Sequence, residues 1–137
     1  MATKKIDTKY HLKYKVCISG AAVIKGEGLE LTITLGTGFG TGVFYQGQLM
    51  PHLEISHQPF RKGETYNDQL GEATRKEIGL ERWNKRVHKA IANLRAMMFF
   101  DHLYIGGGNS RRVIHHNLAD EVTIVDNNAG ILLIHRK

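Results

Sequence analysis

A strand-like alternation that runs straight into alternate glycines constrains this chain more than any other feature. Leu29, Leu31, Ile33 and Leu35 fall on one side of the alternation, and Glu30, Thr32 and Thr34 on the other. That is the period of a strand with one buried face. Gly36-Thr37-Gly38-Phe39-Gly40-Thr41-Gly42 follows at once. Glycine admits φ > 0 and lets another group come close to the main chain, so the segment reads as the bend of a β-hairpin. Val43-Phe44-Tyr45 is the expected returning strand, and Gln46-Gly47 a second turn. Bare N–H groups and threonine hydroxyls at a strand end also suit an anion, phosphate above all.

Lys25-Gly26-Glu27-Gly28 reads as the turn before this strand. Ahead of it, the stretch from Tyr14 to Ile24 fits a strand or a short helix equally, and residues 1–12 read as a polar tail. Residues 50–65 carry Pro51, Pro59 and Gly63 and no helical stripe, which predicts a loop. Thr65 or Asn67 can cap a helix through about Ile78, with Gly79 closing it. A second helix is expected from about Leu80 to Phe99. There Trp83, Val87, Ile91, Leu94 and Met98 recur at steps of three and four and form a core-facing stripe. Leu103-Tyr104-Ile105 reads as a strand ending in Gly106-Gly107-Gly108, with a helical segment from Ser110. Val122-Thr123-Ile124-Val125 is a final strand, and Asn127-Asn128-Ala129-Gly130 can open a terminal helix. Strands alternating with helices predict an α/β sheet with helices packed on it.

Composition narrows the function classes. A chain of 137 residues is long enough for one domain with a real core. No apolar run approaches the ~20 residues that cross a bilayer. The start lacks the apolar segment of a secretory signal, and Cys17 alone can form neither an internal disulfide nor a cysteine-built zinc site. The expected location is the cytoplasm. A net charge of +6 favours anionic partners. The basic residues are dispersed, as in Arg61-Lys62 and Arg111-Arg112, without the tracts or aromatic interleaving of a nucleic-acid binder. They form either a solvated surface or one that attracts nucleotide or polyphosphate; neither nucleic acid nor a membrane is an expected partner.

Both glycine segments fall at predicted strand ends, where ligands of open α/β sheets bind. Neither a P-loop nor the Gly-x-Gly-x-x-Gly dinucleotide pattern occurs, because the glycine spacing is strictly alternate. Between them lies His52-Leu53-Glu54-Ile55-Ser56-His57. His52, Glu54 and His57 can ligate metals, but no Pro-Cys-x-x-Cys or His-Glu-x-x-His accompanies them, so no metal site is expected. A carboxylate and an imidazole three residues apart also suit hydrogen bonds to neighbouring sugar hydroxyls.

Taken in order, Leu35-Gly36-Thr37-Gly38-Phe39-Gly40-Thr41-Gly42, Glu54-Ile55-Ser56-His57, Trp83-Asn84-Lys85-Arg86-Val87 and Tyr104-Ile105-Gly106-Gly107-Gly108-Asn109-Ser110 resemble the ROK sugar kinases (repressor, open reading frame, kinase), and within them the polyphosphate/ATP glucokinases. The resemblance runs from about Val23 to the C-terminus. It implies the C-terminal lobe of an actin-like, ribonuclease-H-type ATPase fold, a mixed sheet with packed helices, over residues 13–137. It assigns Gly36, Thr37, Gly38 and Gly40 to a second phosphate-binding turn and Gly106, Gly107 and Gly108 to the adenosine side. Glu54 and His57 match the family's sugar-contacting Glu-x-Gly-His, with Ser56 in place of glycine. ATP or polyphosphate with Mg2+ is the implied donor and a glucose-like sugar the acceptor.

The chain also departs from the family. Its Asp-x-Gly-x-Thr phosphate motif occurs nowhere in these residues, and Lys15 stands near the position of the general-base aspartate. Phosphoryl transfer needs a carboxylate to orient the hydroxyl and take its proton, a role unsuited to a protonated lysine. The expectation is therefore a truncated, glucokinase-like half-domain, inactive in isolation, whose missing N-terminal half another chain could supply. The alternative is a non-catalytic, self-associating binding or regulatory module, because half of a two-lobed fold leaves apolar surface open.

Overall fold

The computed structural model describes residues 23–50 and 53–125. The expected polar tail, the segment from Tyr14 to Ala22, Lys15 and the helix from Asn127 all lie outside them.

The alternating segment forms β1 (Leu29–Leu35), the centre of a mixed sheet of order β3-β2-β1-β6-β7. Antiparallel to it runs β2 (Phe39–Tyr45), in register from Leu29↔Tyr45 to Leu35↔Phe39. The return strand thus begins at Phe39, four residues earlier than Val43, and absorbs Gly40 and Gly42. Gln46 and Gly47 have φ of 51° and 82°, the double left-handed turn that matches strand twist, and they lead into β3 (Gln48–Leu49). The stretch expected to be loop holds a 3-10 turn at Ile55–His57 and a small ribbon of β4 (Pro59–Arg61) and β5 (Glu64–Thr65). On the other side of β1, β6 (His102–Gly106) runs parallel from Glu30↔His102 to Thr34↔Gly106, and β7 (Val122–Ile124) runs parallel to β6.

Three helices connect β5 to β6: α1 (Tyr66–Leu70), α2 (Glu72–Ile78) and α3 (Leu80–Met98). Thr65 caps the first through a complete capping box with Asp68. The single helix expected through Ile78 is broken at Gly71, which is extended at φ −74° and ψ 172°. A Cβ at Gly71 would stand 2.6 Å from the carbonyl oxygen of Thr37, and Glu72 N–H donates to that same oxygen at 3.2 Å. The helix opens there to receive the hairpin tip.

The stripe on α3 is the core. Trp83, Val87, Ala90 and Leu94 are fully buried against Leu31, Ile33 and Leu35 of β1 and Leu103 and Ile105 of β6. Burial of each such large side chain stabilises by about 1.5–3 kcal/mol. Trp83 Nε1 donates to Leu70 O at 3.1 Å, which ties α3 to α1. The opposite face of β1 is buried as well, against the expectation of a solvated face, with Glu30 at 2% and Thr32 at 1% exposure. Glu30 tolerates burial because its carboxylate accepts the N–H groups of Lys25, Gly26 and Glu27 and the Tyr104 hydroxyl. Burial and that hydrogen bond push the Tyr104 phenol up to about 12.

After β6 the expected helix is a single 3-10 turn, Ser110–Arg112. Buried Asn84 of α3 explains why. Its Nδ2 donates to Arg112 O at 3.0 Å and its Oδ1 accepts from Ile114 N at 2.7 Å, so backbone groups that a helix would need are already used.

Candidate functional site

The two glycine segments are far apart in sequence and adjacent in space. Parallel pairing sets Thr34 beside Gly106, so both segments leave the sheet at neighbouring carboxyl ends. Gly107, at φ +93°, lies against the main chain of Leu35, where a Cβ would stand 2.5 Å from O and 2.7 Å from N. Asn109, 2% exposed, completes the join: its N–H donates to Leu35 O at 2.8 Å and its Nδ2 to Gly36 O at 3.4 Å. Its Oδ1 accepts from Arg112 Nε at 3.1 Å, which holds a guanidinium beside the join.

The turn itself is Gly36–Gly38, closed by Gly36 N–H donating to Gly38 O at 3.0 Å. Gly40 lies outside it, inside β2 and opposite Thr34. Helices α1 and α2 seat the turn from the other side. Phe39 N–H donates to Asn67 Oδ1 at 2.9 Å, and Glu72 N–H holds Thr37 O. The N–H groups of Thr37 and Gly38 meet no acceptor among the described residues. A Cβ at Gly36, Gly106 or Gly108 would find nothing within 4 Å beyond its own neighbours in the chain. Free N–H groups, three open glycines and a nearby guanidinium make a surface able to accept an oxyanion.

Glu54 and His57 lie on the Ile55–His57 turn, which packs between β2 and α1. Buried Ile55 anchors it, while Glu54 is half-buried and His57 exposed. Gln58 O accepts from Tyr66 N at 3.1 Å, which fastens the turn to the start of α1. Hydrogen bonds from the Thr65 N–H and hydroxyl hold the Asp68 carboxyl below the usual range; burial opposes them and the charge of His57 adds to them. No hydrogen bond joins Glu54 or His57 to the glycine turn among the described residues; α1 is the element between them.

Asn67, Asn109, Asn84 and Gly71 take roles here that local sequence pattern does not assign them. The helix cap that its position suggests for Asn67 is taken by Thr65. A glycine interrupting a helical pattern at Gly71, and an asparagine directly after the glycine run at Asn109, were the available signals.

No protein-family model matches the chain, and no curated protein matches it in sequence. Solved structures do. An inorganic polyphosphate/ATP-glucomannokinase from Arthrobacter sp. strain KM is 19% identical with a TM-score of 0.68, over 90% of this chain and 55% of that one. A ROK hexokinase from Thermus thermophilus is 15% identical with a TM-score of 0.54, over 88% of this chain and 62% of that one. A ROK family glucokinase from Streptomyces griseus, solved with glucose and AMPPNP, is 14% identical with a TM-score of 0.56, over 85% and 64%. The likeness is one of fold: this is the mixed sheet with packed helices of the actin-like sugar kinases. The chain spans little more than half to under two thirds of the length of these three kinases.

Proposed function

We propose that these 137 residues form the phosphate- and sugar-binding half of a glucokinase-like phosphotransferase. The observation that carries this reading is the join of Gly36–Gly38 with Gly106–Gly108 at the carboxyl ends of parallel β1 and β6. Such a place offers main-chain N–H groups to a phosphate in a fixed arrangement, and phosphoryl transfer depends mainly on positioning and charge stabilisation.

In this reading the terminal phosphates of ATP or polyphosphate lie against the free N–H groups of Thr37 and Gly38. Gly106, Gly107 and Gly108 face the rest of the donor, and the missing side chains at Gly106 and Gly108 leave it room. Glu54 accepts hydrogen bonds from sugar hydroxyls, and His57 donates or accepts at the rim. The two glycine segments carry no carboxylate, so they do not by themselves fit a magnesium ion, and no step here runs through one. The carboxylate that would take the sugar proton is missing at Lys15. The isolated chain therefore binds without turning over.

A coupled assay of the purified chain with glucose and either donor is expected to show no phosphorylation. Co-expression with a polypeptide carrying the Asp-x-Gly-x-Thr half is expected to restore it, and Glu54→Ala to remove it again. Turnover by the chain alone, or no gain with any matched half, would refute the half-enzyme reading.

Exposed apolar residues favour a second reading, self-association. Phe99 is 82% and Met97 56% exposed at the end of α3. Light scattering that shows a monomer at high concentration would remove it.

A further inference from the structure

Gly38 and Asn67 are matched to each other. A Cβ at Gly38 would strike Asn67 Oδ1 and stand 3.3 Å from Asn67 Cγ, and these three nearest atoms, with Nδ2 at 3.7 Å, all belong to that one side chain. The same oxygen accepts Phe39 N–H at 2.9 Å, at the residue where β2 begins. Asn67 does not cap α1, since Thr65 and Asp68 satisfy that end of the helix reciprocally. Its oxygen is free to serve another segment.

The platform beneath Asn67 is closely packed. The Tyr66 ring lies between those of Phe39 and Phe60, at centroid distances of 5.5 and 4.9 Å, and its hydroxyl accepts from Asn93 of α3 at 3.2 Å. Thr74 of α2 donates its hydroxyl to Asp68 O at 2.5 Å. A side chain on such a base can set the orientation of a glycine turn whose own backbone is permissive.

We infer that Asn67 is a positioning residue for the glycine turn: by holding Phe39 N–H it fixes the direction in which the Thr37 and Gly38 N–H groups point. The consequence for ligand affinity rests on the proposed reading of that turn as a phosphate site. The geometry matches the two positions, because any side chain at 38 would have to displace the Asn67 amide from Phe39 N–H.

Two readouts on the same chain test this: hydrogen exchange of the Phe39 amide by NMR, and titration with inorganic triphosphate. In Asn67→Ala the Phe39 amide exchanges faster and triphosphate binds ~10-fold more weakly, equivalent to about 1.4 kcal/mol. Asn67→Asp restores the acceptor and the protection of Phe39. Gly38→Ala alone displaces the asparagine and reproduces the loss, but adds nothing once Asn67 is alanine. Residues in contact are expected to couple in this way, so the cycle tests the match of Gly38 to Asn67, while the Phe39 exchange together with the triphosphate titration tests whether Asn67 positions the turn. Unchanged Phe39 exchange in Asn67→Ala, or equal harm from Gly38→Ala with and without the asparagine, would overturn the inference. Should the unaltered chain bind no triphosphate, the phosphate reading fails by itself, while the Phe39 exchange and the double-substitution cycle still decide the role of Asn67.

Discussion

Gly107→Ala is the substitution that most sharply tests how the two glycine segments meet. At φ +93° an L-residue pays about 1–2 kcal/mol for its backbone conformation. The new Cβ would also stand 2.5 Å from Leu35 O and 2.7 Å from Leu35 N. Those atoms belong to the central strand and cannot swing aside as a side chain would. Relief requires the ends of β1 and β6 to separate, which strains the 2.8 Å bond from Asn109 N–H to Leu35 O. Overpacking of this kind costs about 1–3 kcal/mol. The lower entropy of an alanine-containing unfolded chain returns about 0.5 kcal/mol. The expected net loss is about 2–4 kcal/mol, or roughly 10 °C in the thermal midpoint of a domain this size. Gly108→Ala is the control, because its Cβ meets open space and the cost is expected to stay within about 0.5 kcal/mol. Urea denaturation of the two variants side by side gives the comparison. Equal stability of Gly107→Ala and Gly108→Ala would refute the close approach of the second segment to Leu35.

Other residues give independent checks. Trp83→Phe removes the donor to Leu70 O and leaves space in the core, for an expected loss of about 2–3 kcal/mol by chemical denaturation; a loss under 1 kcal/mol would contradict the tie between α3 and α1. Phe99 holds a left-handed conformation at φ 48° with its ring 82% exposed, so Phe99→Gly is expected to raise stability by about 0.5–1 kcal/mol, and a lowered melting point would count against that reading. Asp68 titrates below its unfolded value, so its contribution is complete above about pH 4 and is lost as pH falls through the folded value. Asp68→Asn is expected to flatten that acid limb in a pH series of melting curves and Thr65→Ala only in part, because the main-chain N–H of residue 65 still donates to the carboxylate; an unchanged limb in Asp68→Asn would refute the assignment.

Local pattern carried much of this fold. The alternation of Leu29 to Leu35, the bend at the glycines and the stripe from Trp83 to Met98 depend on near neighbours in sequence, and the strand, hairpin and helix occur where they point. The Thr65 cap is equally local. Burial of Glu30 was hidden because a glutamate in an alternating strand reads as solvated. Its partners, three N–H groups from one turn and Tyr104 from another strand, exist only in the assembled structure. The break at Gly71 was hidden for the same reason, since the atom that requires it is the carbonyl of Thr37. The candidate site divides in the same way. Both glycine segments stood at predicted strand ends, but their contact needs the parallel pairing of Thr34 with Gly106 across three helices. Asn67 and Asn109, which seat the turn, carry no periodic signal at all.

Calorimetric titration of inorganic triphosphate into the chain, alongside Gly106→Val and Gly108→Val, tests the phosphate cleft most directly. A Cβ at either position meets nothing within 4 Å, so each variant is expected to fold as the unaltered chain does while placing a side chain over the phosphate surface. A cleft that holds phosphate predicts saturable binding to the unaltered chain and at least ~10-fold weaker binding to both variants, a difference of about 1.4 kcal/mol or more. No binding to the unaltered chain, or binding that both valines leave intact, would contradict it.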